Sequence, residues 1–244
     1  MKVPRRKLVV AGAAIGVAGL ATGLSRALAQ DSSGGPAGKE AGKGKESRHE
    51  EEVSPAEDLM REHGVLKRIL LVYGEAVRRL DAAEDLPPKT VAEAAGIIRS
   101  FIEDYHGKLE EDYLFPRFKK ANKLVDLVDV LLQQHRAGRR LTDITLRLAT
   151  VQAMKSPDDR RALSESMRLF IRMFNPHEAR EDTVLFPAFR GIVSAHEYSA
   201  MGEDFERREH ELFGKDGFEE IVGRVAAIEK SMGIYDLAQF TARE

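Results

Sequence analysis

The chain has no cysteine and no tryptophan. The first absence excludes disulfides, thiolate zinc sites, iron–sulfur clusters, a catalytic thiol and the lipid-bearing cysteine of a lipoprotein. Aromatic residues make up only 7% of the 244, β-branched residues are sparse, and no stretch sustains apolar–polar alternation, so nothing argues for a sheet. A formal net charge of -2 excludes a molecule-wide electrostatic grip on nucleic acid. What is abundant is Ala, Leu, Glu and Arg, a composition that leans all-helical. With 43% hydrophobic residues the chain is long enough for one good core and an appendage.

The first 29 residues read as an address. Lys2, Arg5, Arg6 and Lys7 precede an uncharged run from Leu8 to Ser25, and Ala27-Leu28-Ala29 gives a small-x-small cleavage pattern. Arg5-Arg6-Lys7-Leu8 resembles a twin-arginine export signal, although the flanking Ser or Thr and Phe of such signals are missing. The run is rich in Gly and Ala and only weakly apolar, which suits an export signal better than an anchor. A single spanning helix is the alternative, and the only route to a membrane that the sequence offers. The segment carries five basic residues and no acidic one, so its removal takes the formal charge from -2 to -7. The expectation is an exported, periplasmic or extracytoplasmic protein. Residues 30–53 are Asp, Ser, Gly, Lys and Glu with little apolar content, a solvated tether. His49, among Glu50, Glu51 and Glu52, reads as a stray surface histidine.

Residues 54–190 read as four long helices. Ser54-Pro55 with Glu57 and Asp58 is a helix start, followed by the apolar stripe Leu59, Leu66, Ile69, Tyr73, Val77 and Leu80. Pro87-Pro88 breaks it. Thr90 is the expected cap of a second helix through Phe101, Ile102, Tyr105 and Leu109, which Pro116 ends or kinks. A third is expected from about 122 to about 154. Ser156-Pro157-Asp158 starts the fourth, in which Pro176 should introduce a kink beside His177. Two weaker helices, about 194–213 and 218–230, form a C-terminal extension over 191–244.

The chain repeats itself around its histidines. His106 is followed at +4 by Glu110, at +9 and +10 by Phe115-Pro116, and at +12 by Phe118. His177 is followed at the same offsets by Glu181, Phe186-Pro187 and Phe189. Each also has an acid at +5, Glu111 and Asp182. The copies are 71 residues apart, and His63 and His135 are 72 apart. Each half is therefore one helical hairpin. His63 lies about 27 Å from the end of helix one and His106 about 24 Å from the start of helix two; in the second half the figures are about 30 and 28 Å. The histidines come level, and with Glu110 and Glu181 on the same faces they form one interior layer.

A lone histidine on a helix is ordinarily a surface or core residue, and a lone His-x-x-x-Glu is ordinarily an ion pair. Four histidines and two glutamates in duplicated, height-matched positions are different, because burying them uncompensated costs several kcal/mol per charged group. Coordination to a metal offsets that cost. Imidazole and carboxylate without thiolate suit iron, manganese or zinc, and two carboxylates able to bridge indicate two ions in a bundle.

The constellation His63, His106-Gly-Lys-Leu-Glu110, His135 and His177-Glu-Ala-Arg-Glu181, with Phe115-Pro116 and Phe186-Pro187 behind it, resembles the hemerythrin-like HHE cation-binding domains over residues 56–190. The resemblance implies an antiparallel four-helix bundle around a non-haem di-iron centre. Its glutamates would bridge, its histidines would be terminal ligands, and an oxo or hydroxo bridge would lie between the irons; manganese or zinc is the lesser expectation. The oxygen-carrying members have a second histidine one turn after that of the third helix, where this chain has Arg139. They use an aspartate at +5 of the fourth helix, where this chain offers both Glu181 and Asp182, and the repeat favours Glu181. His210 has no partner in the repeat. It reads either as a fifth histidine ligand replacing the one missing at Arg139 or as a surface histidine among acids. Phe115, Phe118, Phe186 and Phe189 are the expected dry wall of the pocket, with Tyr113 facing either the metals or the core.

Four functions follow: reversible binding of a small diatomic such as dioxygen or nitric oxide, an oxidase or peroxidase acting on dioxygen or peroxide, envelope metal sequestration, or a purely structural bundle.

Overall fold

The computed structural model describes residues 53–242. The expected export segment, the tether up to residue 52 and His49 lie outside the described residues. The described chain forms six helices: α1 (Pro55–Asp81), α2 (88–120), α3 (Val125–Leu148), α4 (157–189), α5 (Ala195–Phe213) and α6 (Gly217–Ser231). Among the described residues there is no strand, and no helix is long and apolar enough to cross a membrane.

Local chemistry sets the starts. The Ser54 hydroxyl accepts from the Glu57 N–H, the Glu57 carboxylate accepts from the Ser54 N–H, and Pro55 occupies the first turn. Ser194 caps α5 in the same reciprocal way with Glu197, and the Ser156 hydroxyl caps α4 by accepting from the Asp159 N–H. Two boundaries depart from expectation. Helix α2 begins at Pro88, so Thr90 is buried within its first turn and caps nothing. Helix α3 is shorter at both ends, because Asn122 and Leu124 take left-handed φ of 51° and 50° and Ala149 leaves the helical region.

The four long helices form an antiparallel bundle. Short links reverse the chain between them, and near the start of α1 His63 meets Asp182 near the end of α4, while Asp81 at the end of α1 accepts from Ser164 early in α4 at 3.4 Å. Leu59, Leu66, Ile69 and Tyr73 of α1 pack with Phe101, Phe118, Phe170 and Phe189 in one buried core. The extension is no loose appendage. Tyr198 donates to the Ser54 hydroxyl at 3.3 Å, Arg68 donates to Glu229 at 2.9 Å, and Phe213 packs on Phe101 and Tyr105.

Both long return helices contain widened, π-type turns. In α2 these are Ile98–His106 and Glu110–Leu114, and in α4 Glu181–Leu185. The Phe115 N–H bonds back to the Glu110 carbonyl and the Phe186 N–H to that of Glu181, five residues apart in each case. The turns that begin at Glu110 and Glu181 end two residues before Pro116 and Pro187, so the helix passes a residue that cannot donate the next bond. Pro116 therefore does not end α2, which runs on to Lys120. Helix α4 likewise runs through Pro176 without interruption. The duplicated turns begin at Glu110 and Glu181, and widened turns of this kind concentrate at functional sites.

Candidate metal centre

Six side chains converge between the helices: His63 from α1, His106 and Glu110 from α2, His135 from α3, and His177 and Glu181 from α4. All are buried, the two glutamates completely. They fall into two triads, His63–His106–Glu110 and His135–His177–Glu181, and within each triad one ligand atom per residue lies within 4.8 Å of the others. The glutamates tie the hairpins together. Glu181 Oε2 is 3.2 Å from His177 Nε2 and 3.4 Å from His63 Nε2. Glu110 Oε2 is 3.7 Å from His106 Nε2 and 3.4 Å from His135 Nε2. Each carboxylate thus stands between a histidine of its own half and one of the other.

The outward nitrogens are held by a ring of polar partners. His63 Nδ1 donates to Asp182 at 2.7 Å, His106 Nδ1 to Glu62 at 2.7 Å, His135 Nδ1 to Glu111 at 2.9 Å and His177 Nδ1 to Gln134 at 2.8 Å. An acceptor on Nδ1 puts the ring proton there and leaves the Nε2 lone pair facing inward, as a metal ligand requires. His63 Nε2 and His106 Nε2 face each other at 3.1 Å. No oxygen of Glu110 or Glu181 has a hydrogen-bond partner among the described residues. Converging lone pairs and unsatisfied buried carboxylates are expensive unless a cation lies among them. The residues present fit divalent metal.

Without a cation the layer must share protons. Burial opposes charge on His63, but Asp182 and Glu181 outweigh it and lift its pKa to about 10. Burial holds His106 down, to about 4. For His135, Glu110 and Glu111 overcome burial and raise the pKa to about 9. Burial and the Glu181 charge push Glu110 up, whereas for Glu181 the imidazoles of His177 and His63 overcome burial and hold it well below the usual carboxylate range.

Beside the layer lies a cavity of about 20 Å³, bordered by Leu66, Ile102, Glu103, Gly107, Arg139 and Phe174 as well as the four histidines and Glu110. That volume admits a water-sized guest and no organic substrate. Gly107 borders this space, where a Cβ would stand 3.3 Å from the Ile102 carbonyl and in ordinary contact, 3.5 Å, with the His135 ring.

Several expectations need correction. His210 is exposed on α5 and joins neither triad; that helix turns Tyr198, Met201, Phe205 and Glu209 inward, and the residue after Glu209 falls outside that face. Phe115, Phe118, Phe186, Phe189 and Tyr113 are not among the residues bordering the cavity. Phe115 packs on the His135 ring and Phe186 stacks on that of His63, each wall belonging to the opposite half. Phe118 and Phe189 meet each other in the core, and Tyr113 packs edge-on against Phe205 of α5. The acids at +5, Glu111 and Asp182, act across the pseudo-symmetry as outer partners of His135 and His63. Sequence reasoning missed Glu62 and Gln134 altogether. The repeat could have found them, because each immediately precedes the first histidine of its half. A third close-set group, Asp58, Glu62 and Glu209, consists of acids alone.

Comparison with known proteins agrees with this geometry. Uncharacterized proteins of Mycobacterium tuberculosis and Mycobacterium bovis are each 54% identical over 205 residues, covering 83% of this chain and 80% of theirs. No solved structure matches the chain. The family model for the hemerythrin HHE cation-binding domain matches residues 54–149 and 126–232. Those two segments carry every side chain of both triads, in helices whose buried carboxylates call for a cation, and the chain belongs to the hemerythrin HHE cation-binding family.

Proposed function

We propose that the protein is a non-haem di-iron protein that binds or reacts with dioxygen, nitric oxide or peroxide. One observation carries the reading: two fully buried glutamates, their oxygens without hydrogen bonds, each set between histidines of both hairpins. His63, His106 and Glu110 would hold one ion, His135, His177 and Glu181 the other, with both carboxylates placed to bridge. Imidazole and carboxylate ligands suit iron, with manganese or zinc as lesser fits. When bound, such a pair supplies electrons and open coordination positions for a small oxidant.

The chain's own residues do the rest. Asp182, Glu62, Glu111 and Gln134 fix the tautomer and orientation of the four rings. Leu66, Ile102 and Phe174 keep the adjoining space apolar, and its size selects a guest of one or two heavy atoms. Among the alternatives, oxidant turnover gains over reversible carriage from the exposure of His210, because four imidazoles and two carboxylates leave positions open on both ions. The twin-arginine-like segment supports export, with folding and metal loading before translocation.

Anaerobic purification followed by metal analysis should give close to two irons per chain, and Glu110→Ala should lower that number. A metal-free wild type that cannot be reconstituted would overturn the reading. Exposing the reduced protein to oxygen and following its spectrum separates stable binding from rapid oxidation. Peroxide turnover unaffected by Glu110→Ala would eliminate the peroxidase alternative.

A further inference from the structure

The outer ring around the six converging residues repeats with one exception. Glu111 and Asp182, matched in the two halves, support His135 and His63. Glu62 and Gln134, also matched, support His106 and His177. Three of the four partners are carboxylates and the fourth is a neutral amide. Because Nδ1 of His177 must carry its proton for Nε2 to face inward, it is the amide oxygen of Gln134 that accepts.

The consequence is electronic. A carboxylate on Nδ1–H draws the proton toward itself and makes the opposite nitrogen a stronger donor, whereas an amide oxygen does this weakly. Both histidines of the first triad, His63 and His106, are backed by carboxylates. In the second triad only His135 is, and its Glu111 is shared with Arg139 at 2.8 Å and Lys108 at 3.1 Å, which neutralise much of its charge. A cation also stands near the first triad, Lys67, and it is paired with Glu178 at 2.5 Å.

We propose that Gln134 is a positioning residue that makes the two ion sites unequal, so that the His63–His106 site fills first and holds its ion more tightly than the His135–His177 site. This rests on the two-ion reading above. It assigns the more exchangeable ion to the hairpin that also carries Arg139.

The test is titration of the chelator-treated full chain with cobalt(II) alone, followed by calorimetry. Wild type should bind two ions in steps separated about 10- to 100-fold, the range by which outer partners change metal affinity. Gln134→Glu should tighten the second step about tenfold and leave the first unmoved. Glu62→Gln should weaken the first step and close the gap. The exchange variant Glu62→Gln/Gln134→Glu should invert the order, read from which histidine N–H resonances the first equivalent of cobalt shifts. Gln134 is half-buried, so a carboxylate there can be solvated. If a variant does not fold, the same resonances in wild type decide: one equivalent of cobalt should shift those of His63 and His106. Two ions bound with equal affinity, or steps indifferent to Gln134→Glu, overturn the proposal and leave the two-ion centre standing. Binding of no ion by wild type overturns the centre itself.

Discussion

Replacing Glu110 with glutamine should stabilise the metal-free protein and cripple the loaded one. The substitution keeps volume and shape and removes one charge. In the metal-free state that charge is fully buried, accepts no hydrogen bond, and lies beside the Glu181 carboxylate. Burial and Glu181 raise the Glu110 pKa above 4.5 despite the attraction of His106 and His135. A carboxyl whose pKa is raised by folding contributes stability that is present below the unfolded pKa and lost as pH rises. Wild type and Glu110→Gln should therefore be alike near pH 4 and diverge above it, the variant being more stable by about 1–3 kcal/mol at neutral pH, the cost of an unsatisfied buried polar group. For a chain of this length that is about 2–4 °C in Tm per kcal/mol. In the presence of iron(II) the order should reverse. Wild type gains about 4 kcal/mol at a free ion concentration a thousand times Kd, whereas the variant lacks the charged ligand between His106 and His135. Differential scanning calorimetry with and without chelator reads both arms. Equal destabilisation of the variant in both states would refute the reasoning, since Glu110 would then be an ordinary structural carboxylate.

Three further outcomes follow from the same contacts. In Gly138→Ala the new Cβ would stand 2.8 Å from the Phe174 ring, so the usual gain of about 1 kcal/mol for alanine in a helix should turn into a loss of about 1–3 kcal/mol, restored by adding Phe174→Leu; denaturant unfolding that shows the single variant stabilised would contradict this. Burial pushes the Glu103 carboxyl up to about 7 even though Thr142 donates to it at 2.6 Å and Arg99 lies close by. Its stabilising contribution is present below about 4.5 and lost as pH rises through about 7, so Glu103→Gln should match wild type near pH 4 and exceed it by up to about 3 kcal/mol at pH 8; a stability difference independent of pH would contradict this. His210→Ala should leave the iron content unchanged and stability within about 0.5 kcal/mol, and a halved iron content would return His210 to the ligand set.

Helix starts and the bundle were legible because they are written locally. A serine with a proline or an acid behind it caps and opens α1 and α4, and the α1 stripe from Leu59 to Tyr73 names its own inner face. The start of α3 was only partly legible: Asn122 is a residue that takes left-handed φ readily and marks a helix end, but nothing in Leu124 announces the same conformation. The wide turns were half legible. A proline ten residues after each His shows that the regular bonding must fail there, but whether the helix stops, kinks or widens depends on what the flanking residues can bury. Phe115, Phe118, Phe186 and Phe189 are all buried, so stopping the helix would have removed them from the core.

The site shows how far a repeat can be read. Spacing along one chain established that His106 and Glu110, or His177 and Glu181, share a face. It could not show that the hairpins exchange partners, because an exchange depends on how the halves pack. In the folded protein the supports of one histidine in each half cross over: Asp182 and Phe186 serve His63, and Glu111 and Phe115 serve His135, whereas Glu62 and Gln134 serve His106 and His177 within their own hairpins. Glu62 and Gln134 escaped for a related reason. A residue next to an inward histidine is turned about 100° from it on the helix, so it points sideways, away from the layer and toward the neighbouring helix, where His106 or His177 waits. An isolated hairpin would retain three of the six converging residues but lose Asp182 from His63, or Glu111 from His135, along with the ring that covers each. The duplication is therefore not two metal sites joined end to end. It is one layer in which each half orients one histidine of the other, and the single unmatched pair, Glu62 and Gln134, is where the two halves cease to be equivalent.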